Sequence, residues 1–450
     1  MNEFPGLTDS FIRAACVPRE GSHATGTTAR ADAMLADHPE LAAASIHTAA
    51  IVGDVAAVAS FLAADRTLAT AKAGPYHWDP LTHLCFSNYL KCDPSRSDAF
   101  VATATALLSA GASANTGWLE AEHQPRPEWE SALYGAAGVA HHPALTALLI
   151  AHGADVNDIE VVYHTPESYD NRALELLLAT GALTAESLAW MLVRKHDWHD
   201  IDGARLLLTH GADPNLAVAH VNTALLHALA RNNSLEMIAL LLDHGADPRI
   251  VARGYNGFAA AARTGRGDVL TLFAERGFVP ELEGVDRLIA ACAGDEGAAA
   301  HAIAEAEPEL LAEVLAMGGD LLARFAGTNN RAGVARLLDL GVPVAAPFTA
   351  GDAYFDEPRG SLAIHVAAWR GRPEVVRLLL ERGSPVDLPD ANGRTPLALA
   401  IRACVDSYWS ARRTTESIVA LLAAGATTAG VTLPTGYPEA DLLLAGQTSA

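Results

Sequence analysis

The residues best equipped for chemistry in this sequence stand together at Lys195-His196-Asp197-Trp198-His199-Asp200. Imidazoles and carboxylates in one short segment can move protons or ligate a metal, and His196 and His199, three apart, would share a helix face. Glu130, Tyr134, His141-His142 and Tyr163-His164 precede them. If the chain folds back on itself between these segments, acids and imidazoles from successive segments would converge. An enzyme, or a small-molecule site without turnover, would then use Glu130, Tyr134, His196, Asp197 and His199 as acid–base groups, with His196 and His199 as metal ligands. A solvated polar turn explains the same hexapeptide without any ligand.

No short motif strengthens the enzymatic reading. The sequence contains no GxxxxGK[ST], GxGxxG, HExxH or GxSxG, so phosphate loops, dinucleotide folds, zincins and hydrolase elbows lose their usual support. Asp387, Asp390, Asn392 and Gly393 look briefly like a calcium loop, but their acidic spacing is wrong. No cofactor is expected.

Composition narrows the classes further. The chain has 450 residues, 50% of them hydrophobic and 19% charged, which excludes a disordered chain and supplies a large core. Thirty-one basic against 53 acidic side chains give a net charge of −22, which disfavours nucleic acid and anionic membranes as partners. The five cysteines are scattered and form no CxxC pair, which fits a reducing compartment. The start carries no basic region followed by an apolar stretch, and no window holds eighteen apolar residues in a row. A cytoplasmic protein is expected, and the Ala- and Arg-rich, Lys-poor composition suggests a bacterial gene of high GC content.

The elements that must position these residues are announced by a repeated phrase. Leu176-Leu177-Leu178 precedes Gly181, Leu206-Leu207-Leu208 precedes Gly211, Leu240-Leu241-Leu242 precedes Gly245, and Leu378-Leu379-Leu380 precedes Gly383. Weaker copies end at Gly111, Gly153, Gly277, Gly341 and Gly425, with a period close to 33 residues and some insertions. The leucines make one apolar helix face, and the glycine supplies the left-handed residue that stops the helix. The pattern predicts a helix from Pro373 to Arg382. Another begins where Thr395 caps and Pro396 takes the first helical position. His152, His210 and His244 sit just before terminal glycines, where the helix dipole favours them.

These residues resemble the ankyrin repeat family, whose unit runs TPLHxAAxxGxxExVxxLLxxGADxN. Gly153-Ala154-Asp155-Val156-Asn157, Gly211-Ala212-Asp213-Pro214-Asn215 and Gly245-Ala246-Asp247-Pro248 match its turn, and His47 and His365 fall at its TPLH position. The resemblance implies an all-α solenoid of about eleven helix-turn-helix units with β-hairpin tips, curved around a concave groove. Residues 44–428 would form the array, 1–43 an N-terminal helical cap, and 429–450 a C-terminal cap or tail. Gly53, Gly265, Gly294 and Gly371 stand between helices, with Asn233 and Asn329 replacing glycine in two copies.

Departures from the period carry the functional expectations. Three units are lengthened between their helices, at Cys85–Cys92, Arg194–Asp200 and Arg402–Trp409, and each insertion brings basic and aromatic residues. The two variable positions that line the family's groove hold Ile51-Val52, Arg263-Thr264, Cys292-Ala293, Trp369-Arg370 and Arg402-Ala403, with Arg231-Asn232 at the equivalent place in a slightly irregular copy. Further aromatics occupy the expected hairpin tips: Tyr76-His77-Trp78, Trp129, Tyr163-His164, Tyr255 and Tyr354-Phe355. The leading expectation is a non-catalytic scaffold that holds an acidic or extended segment of a protein partner in an arginine- and aromatic-lined groove. Arg194, Lys195, Trp198, Arg231, Asn232, Arg263, Trp369, Arg370, Arg402, Tyr408 and Trp409 would form the binding set. The competing expectation is that these arginines are paired with the chain's own carboxylates.

Overall fold

The computed structural model describes residues 4–19, 22–124, 126–218, 222–280, 282–407 and 413–447. The chain is all-α in class, built of paired helices, and divides into two compact units, Met1–Ala224 and Leu225–Ala450. No helix among the described residues is long and apolar enough to cross a membrane.

The repeat phrase folds as its residues dictate. In Pro373–Glu381 the proline occupies the first turn, Val375, Val376, Leu378 and Leu379 are buried, and Gly383 follows with φ +81°. Burial of each such side chain is worth roughly 1.5–3 kcal/mol. Thr395 caps Pro396–Val405 by accepting from Ala398 N–H at 3.2 Å. The three terminal histidines each place Nδ1 2.8–2.9 Å from a helix carbonyl one turn back, at Leu148, Leu206 and Leu240. His47 and His365 tie consecutive repeats together, with Nε2 2.7 Å from the carbonyls of Ala71 and Leu388.

In the first unit the leading helices of the repeats are Ile46–Val52, Pro80–Cys85, Ala132–Tyr134, Ile159–His164 and Ala185–Asp197. Their partners are Val55–Ala64, Ser97–Ala110, Pro143–Ala151, Arg172–Ala179 and Ile201–Thr209. Ala132–Tyr134 continues into a π-helical turn at Gly135–Val139. The paired strands among the described residues are Gly117–Glu120 and Glu128–Ser131, antiparallel, with Trp118 opposite Glu130. Two helices at the start of this unit, Phe4–Ala15 and Ala29–Asp37, precede the first repeat.

The second unit is built around buried Phe325, Val334, Leu337, Ile364, Val375, Leu379 and Leu397. Helix Ala363–Trp369 packs against Gly318–Gly327 on one side and Pro396–Val405 on the other. Ala367 and Ala368 are fully buried there, as small residues between closely approaching helices must be.

Several expectations need correction. Helix Ala185–Asp197 ends before His199, which takes a left-handed φ of +53°, so His196 and His199 do not share a helix face. His199 instead fills the turn position that glycine holds in other repeats, as do His141, Asn232 and Asn329. The left-handed asparagine is therefore Asn232 rather than Asn233, and beside Gly294 the left-handed residue is Asp295. Tyr163-His164 ends a helix and is not a hairpin tip. The insertion at Cys85–Cys92, expected to serve function through its aromatics, is mostly interior. Ser87 caps a short helix, Asn88–Cys92, and Phe86 and Tyr89 are buried.

Candidate functional site

The first unit places Glu130, Tyr134 and His164 in one charged cluster, and Asp197 joins it through Arg194 and Glu167. Glu130 comes from the second hairpin strand. Tyr134 follows four residues on, in a turn of helix capped by the Ser131 hydroxyl, which accepts from Tyr134 N–H at 3.1 Å. The π-helical turn holds Gly138 against the Tyr134 ring and the His164 side chain, where a Cβ would lie 2.8 Å from each. The two rings are 5.1 Å apart between centroids. Such turns often accompany function.

His164 is clamped between two carboxylates, with Nε2 3.2 Å from Glu160 and Nδ1 3.0 Å from Glu167. Burial opposes its charge, but hydrogen bonds and attraction from Glu160 and Glu167 prevail and lift its pKa from 6.5 to about 9. Burial also pushes Glu167 upward, yet the His164 and Arg194 charges win and hold it below the usual carboxylate range. Arg194 continues the chain of charges. It pairs with Glu167 and Asp197 and stacks 4.0 Å from the Tyr163 ring centroid.

Glu130 behaves differently. Its side chain is 1% exposed, and burial with the nearby Glu160 charge raises its pKa from 4.5 to about 8. Its Oε2 has no hydrogen-bond partner among the described residues, and His23 Nδ1 lies 3.8 Å away. Burial lifts Asp158 to about 6. Burial, then the Glu130 charge, raises the Tyr134 phenol, whose hydroxyl lies 3.0 Å from His23 Nδ1. Glu160, Glu167, Asp158 and His23 were not singled out in the sequence. The i, i+4 and i, i+3 spacing of Glu160, His164 and Glu167 was the available signal.

Lys195 is not a surface contact. It is fully buried, and its Nζ donates to Asp200 Oδ2 and to the Ser168 carbonyl, both at 2.7 Å. Gly203 makes the room: a Cβ there would fall 2.5 Å from Lys195 Cε. His196 is buried on the same helix, and Asp197 is engaged by Arg194. Trp198 is half-buried at the helix end, its carbonyl accepting from the Tyr169 hydroxyl at 2.7 Å. Among the described residues, no three His, Cys, Asp or Glu side chains are placed to hold a metal ion.

In the second unit the arginines meet the chain's own aromatics and acids. Arg370 is buried, forms a two-point pair with Glu357 at 2.6 and 2.9 Å, and lies 3.4 Å from the Phe355 centroid. It belongs to the core, not to a binding strip. Trp369, expected as an anchor for a partner, is buried and donates its indole N–H to the Phe355 carbonyl at 2.6 Å, because the tip at 352–357 folds back over it. Asn232 uses its amide toward the Gly327 carbonyl at 3.5 Å.

Arg231, Arg263 and Arg402 are the more accessible members. Arg231 stacks on Tyr354 with its guanidinium 4.1 Å from the ring centroid. Arg263 forms a two-point pair with Asp286 at 2.6 and 3.1 Å. Arg402 stacks 4.4 Å from the Trp369 centroid and reaches Asp356 at 2.5 Å. Asp356 is about half exposed and also receives Arg394 at 2.7 Å. Tyr408 and Trp409 lie outside the described residues.

Comparison with known proteins identifies the repeat. Residues 356–400 match the model described as ankyrin repeats in many copies, and residues 222–253 match the ankyrin repeat model. The crystal structure of the human ASB11 ankyrin repeat domain is similar at 20% sequence identity, covering 67% of this chain and 100% of that one, with a TM-score of 0.24. No curated protein matches the chain.

Proposed function

Because the chain carries ankyrin repeats, units that generally serve protein–protein interaction, we propose that it is a non-catalytic scaffold that captures an extended, acidic segment of a protein partner. Arg263 and Arg402 are the residues assigned to that contact, with Arg231 beside them. The observation that carries the reading is the arrangement at Asp356. A half-exposed carboxylate sits between Arg394 and Arg402, and the Arg402 guanidinium lies over Trp369, 4.4 Å from its ring centroid. A partner carboxylate can take the place of Asp356 on a guanidinium whose orientation is already fixed by the indole, so little ordering entropy opposes the exchange. Asp286 plays the equivalent part for Arg263.

The test is a library of unstructured synthetic decapeptides of graded charge, screened against wild type and an Arg263→Glu/Arg402→Glu variant. Acidic peptides are expected to bind wild type and to lose the variant. Binding indifferent to peptide charge overturns the reading. Arg370 is left intact, because reversing it would place two buried carboxylates together and unfold the unit.

A second reading rests on the first unit. Glu130 is a buried carboxyl with its pKa raised to about 8, close enough to exchange electrostatic effects with the Tyr134 phenol and the clamped His164. Groups of this kind mark acid–base or small-molecule sites in other settings. Native mass spectrometry of protein purified without denaturation tests it: a retained metabolite lost in Glu130→Gln supports this reading, and a bare chain counts against it.

A further inference from the structure

The loop joining helices Phe4–Ala15 and Ala29–Asp37 spans residues 16–28. Helix–helix connections are usually 2–8 residues long, and longer ones earn their length through function. The loop's described residues, 16–19 and 22–28, lie against the first repeats of their own unit. Val17 N–H donates to the Phe86 carbonyl at 2.9 Å. The Asn88 amide donates to the carbonyls of Cys16 at 2.9 Å and Thr27 at 3.4 Å, pinning both ends of the loop. Lys91 Nζ gathers three successive carbonyls, those of Ala24, Thr25 and Gly26, at 2.7, 2.9 and 3.3 Å. The repeat surface thus holds the two ends of the loop by their backbone, at Cys16-Val17 and at 24–27, and leaves Arg19 and His23 to be held by their side chains.

Two loop side chains enter a recess of opposite character. The Arg19 guanidinium donates to Glu120 Oε2 at 3.1 and 2.9 Å and lies 5.6–5.8 Å from the ring centroids of Tyr76, Trp78 and Trp118. Trp78 and Trp118 are stacked on each other at 4.2 Å, so the platform is preformed by the fold. His23 approaches Tyr134 and Trp118, and beneath it lies the unpartnered Glu130 Oε2. The imidazole stops 3.8 Å short of that carboxylate, and burial with the His164 charge depresses its pKa. His23 therefore satisfies the Glu130 position poorly, while a guanidinium or ammonium would satisfy it well.

We propose that this recess, formed by Trp78, Trp118, Glu120, Glu130 and Tyr134, is a second interaction surface that reads an arginine-bearing extended segment of a protein partner. The 16–28 loop is its built-in stand-in and must leave before the partner binds. This goes beyond the acidic-segment surface of the second unit, using different residues and the opposite charge. Beyond Cys16 and Val17, which are buried, the loop's grip is polar: no large apolar side chain is inserted from residues 18–19 or 22–28, which suits reversible release of that part.

The experiment supplies the loop in trans. A labelled synthetic peptide with the sequence of residues 17–25 is titrated into wild type and into an opened variant, Arg19→Ser/His23→Ala, by fluorescence anisotropy. The opened variant should bind about tenfold or more tightly than wild type, since a tethered competitor of high effective concentration has been removed. A peptide with glutamine in place of its arginine should lose that gain, and so should Glu120→Gln placed in the opened variant. Arg19→Gln alone, a milder change that keeps His23, should give the same order with a smaller factor. An opened variant that melts like wild type and binds no peptide, or binds the glutamine peptide equally well, overturns the proposal. Charge reversal at Arg263 and Arg402 should leave this titration unchanged, so the two surfaces fail or succeed separately.

Discussion

Lys195→Met separates a structural role from a binding role at the segment richest in candidate chemistry. The wild-type ammonium is fully buried and bridges Asp200 Oδ2 and the Ser168 carbonyl at 2.7 Å each. Asp200 also caps the following helix through Gly203 N–H at 3.0 Å and receives the Asn171 amide at 3.1 Å. Removing the lysine leaves a buried carboxylate with two neutral donors and no counter-charge. Breaking a buried pair in this way costs about 3–5 kcal/mol, whereas an exposed pair would cost at most about 1. The Asp200→Asn change would keep the cap, because asparagine serves the N-terminal position as well as aspartate. The double variant Lys195→Met/Asp200→Asn should therefore recover most of the loss, giving a favourable coupling of about 2 kcal/mol or more in the cycle. Urea unfolding followed by circular dichroism measures all four corners. A Lys195→Met loss below about 1 kcal/mol, or no rescue by Asp200→Asn, would refute the buried-pair account.

Three further outcomes follow from the same geometry. The part of the stability linked to His164 and Glu130 should fall as pH rises from about 6.5 to 9, above the range in which His23, His47, His83, His141, His142 and His365, whose pKa values burial lowers, act in the opposite direction. The folded pKa of His164 is raised from 6.5 to about 9, so its contribution is complete below 6.5 and is lost through 9; Glu130, raised from 4.5 to about 8, loses its proton-linked advantage across that span. Melting temperatures of wild type, Glu130→Gln and His164→Gln against pH would show the slope and its flattening in each variant. Gly203→Ala should cost about 1–3 kcal/mol in urea unfolding, because the added methyl would meet Lys195 Cε at 2.5 Å and Asp200 Oδ2 at 2.6 Å. Arg370→Glu should lower the melting temperature sharply while Arg402→Glu barely moves it, since only the former lies in the core.

The helices were legible because their signals are local. Leucine triplets, the glycine after them and the Thr395-Pro396 start each act within a turn or two of chain. Side-chain destinations at the site were not local. Arg370 finds Glu357 thirteen residues upstream only because the tip at 352–357 folds back over Trp369. The fate of Lys195 depends on Gly203 being small enough to admit it. His199 read as a ligand because its helical spacing from His196 was right, yet the helix ends at Asp197 and His199 takes the turn. The recess under the 16–28 loop was least visible, since His23 and Tyr134 are 111 residues apart. Tyr134 and His164 do lie 5.1 Å apart between ring centroids, because the repeat period sets their segments side by side.

The central claim, a scaffold that reads an acidic extended segment, is tested most directly by calorimetric titration of the best acidic decapeptide into wild type and Arg263→Glu/Arg402→Glu at two salt concentrations. The account predicts affinity that weakens with salt in wild type and is lost in the variant, with both proteins melting alike. Equal affinity for the two proteins, insensitive to salt, would contradict it.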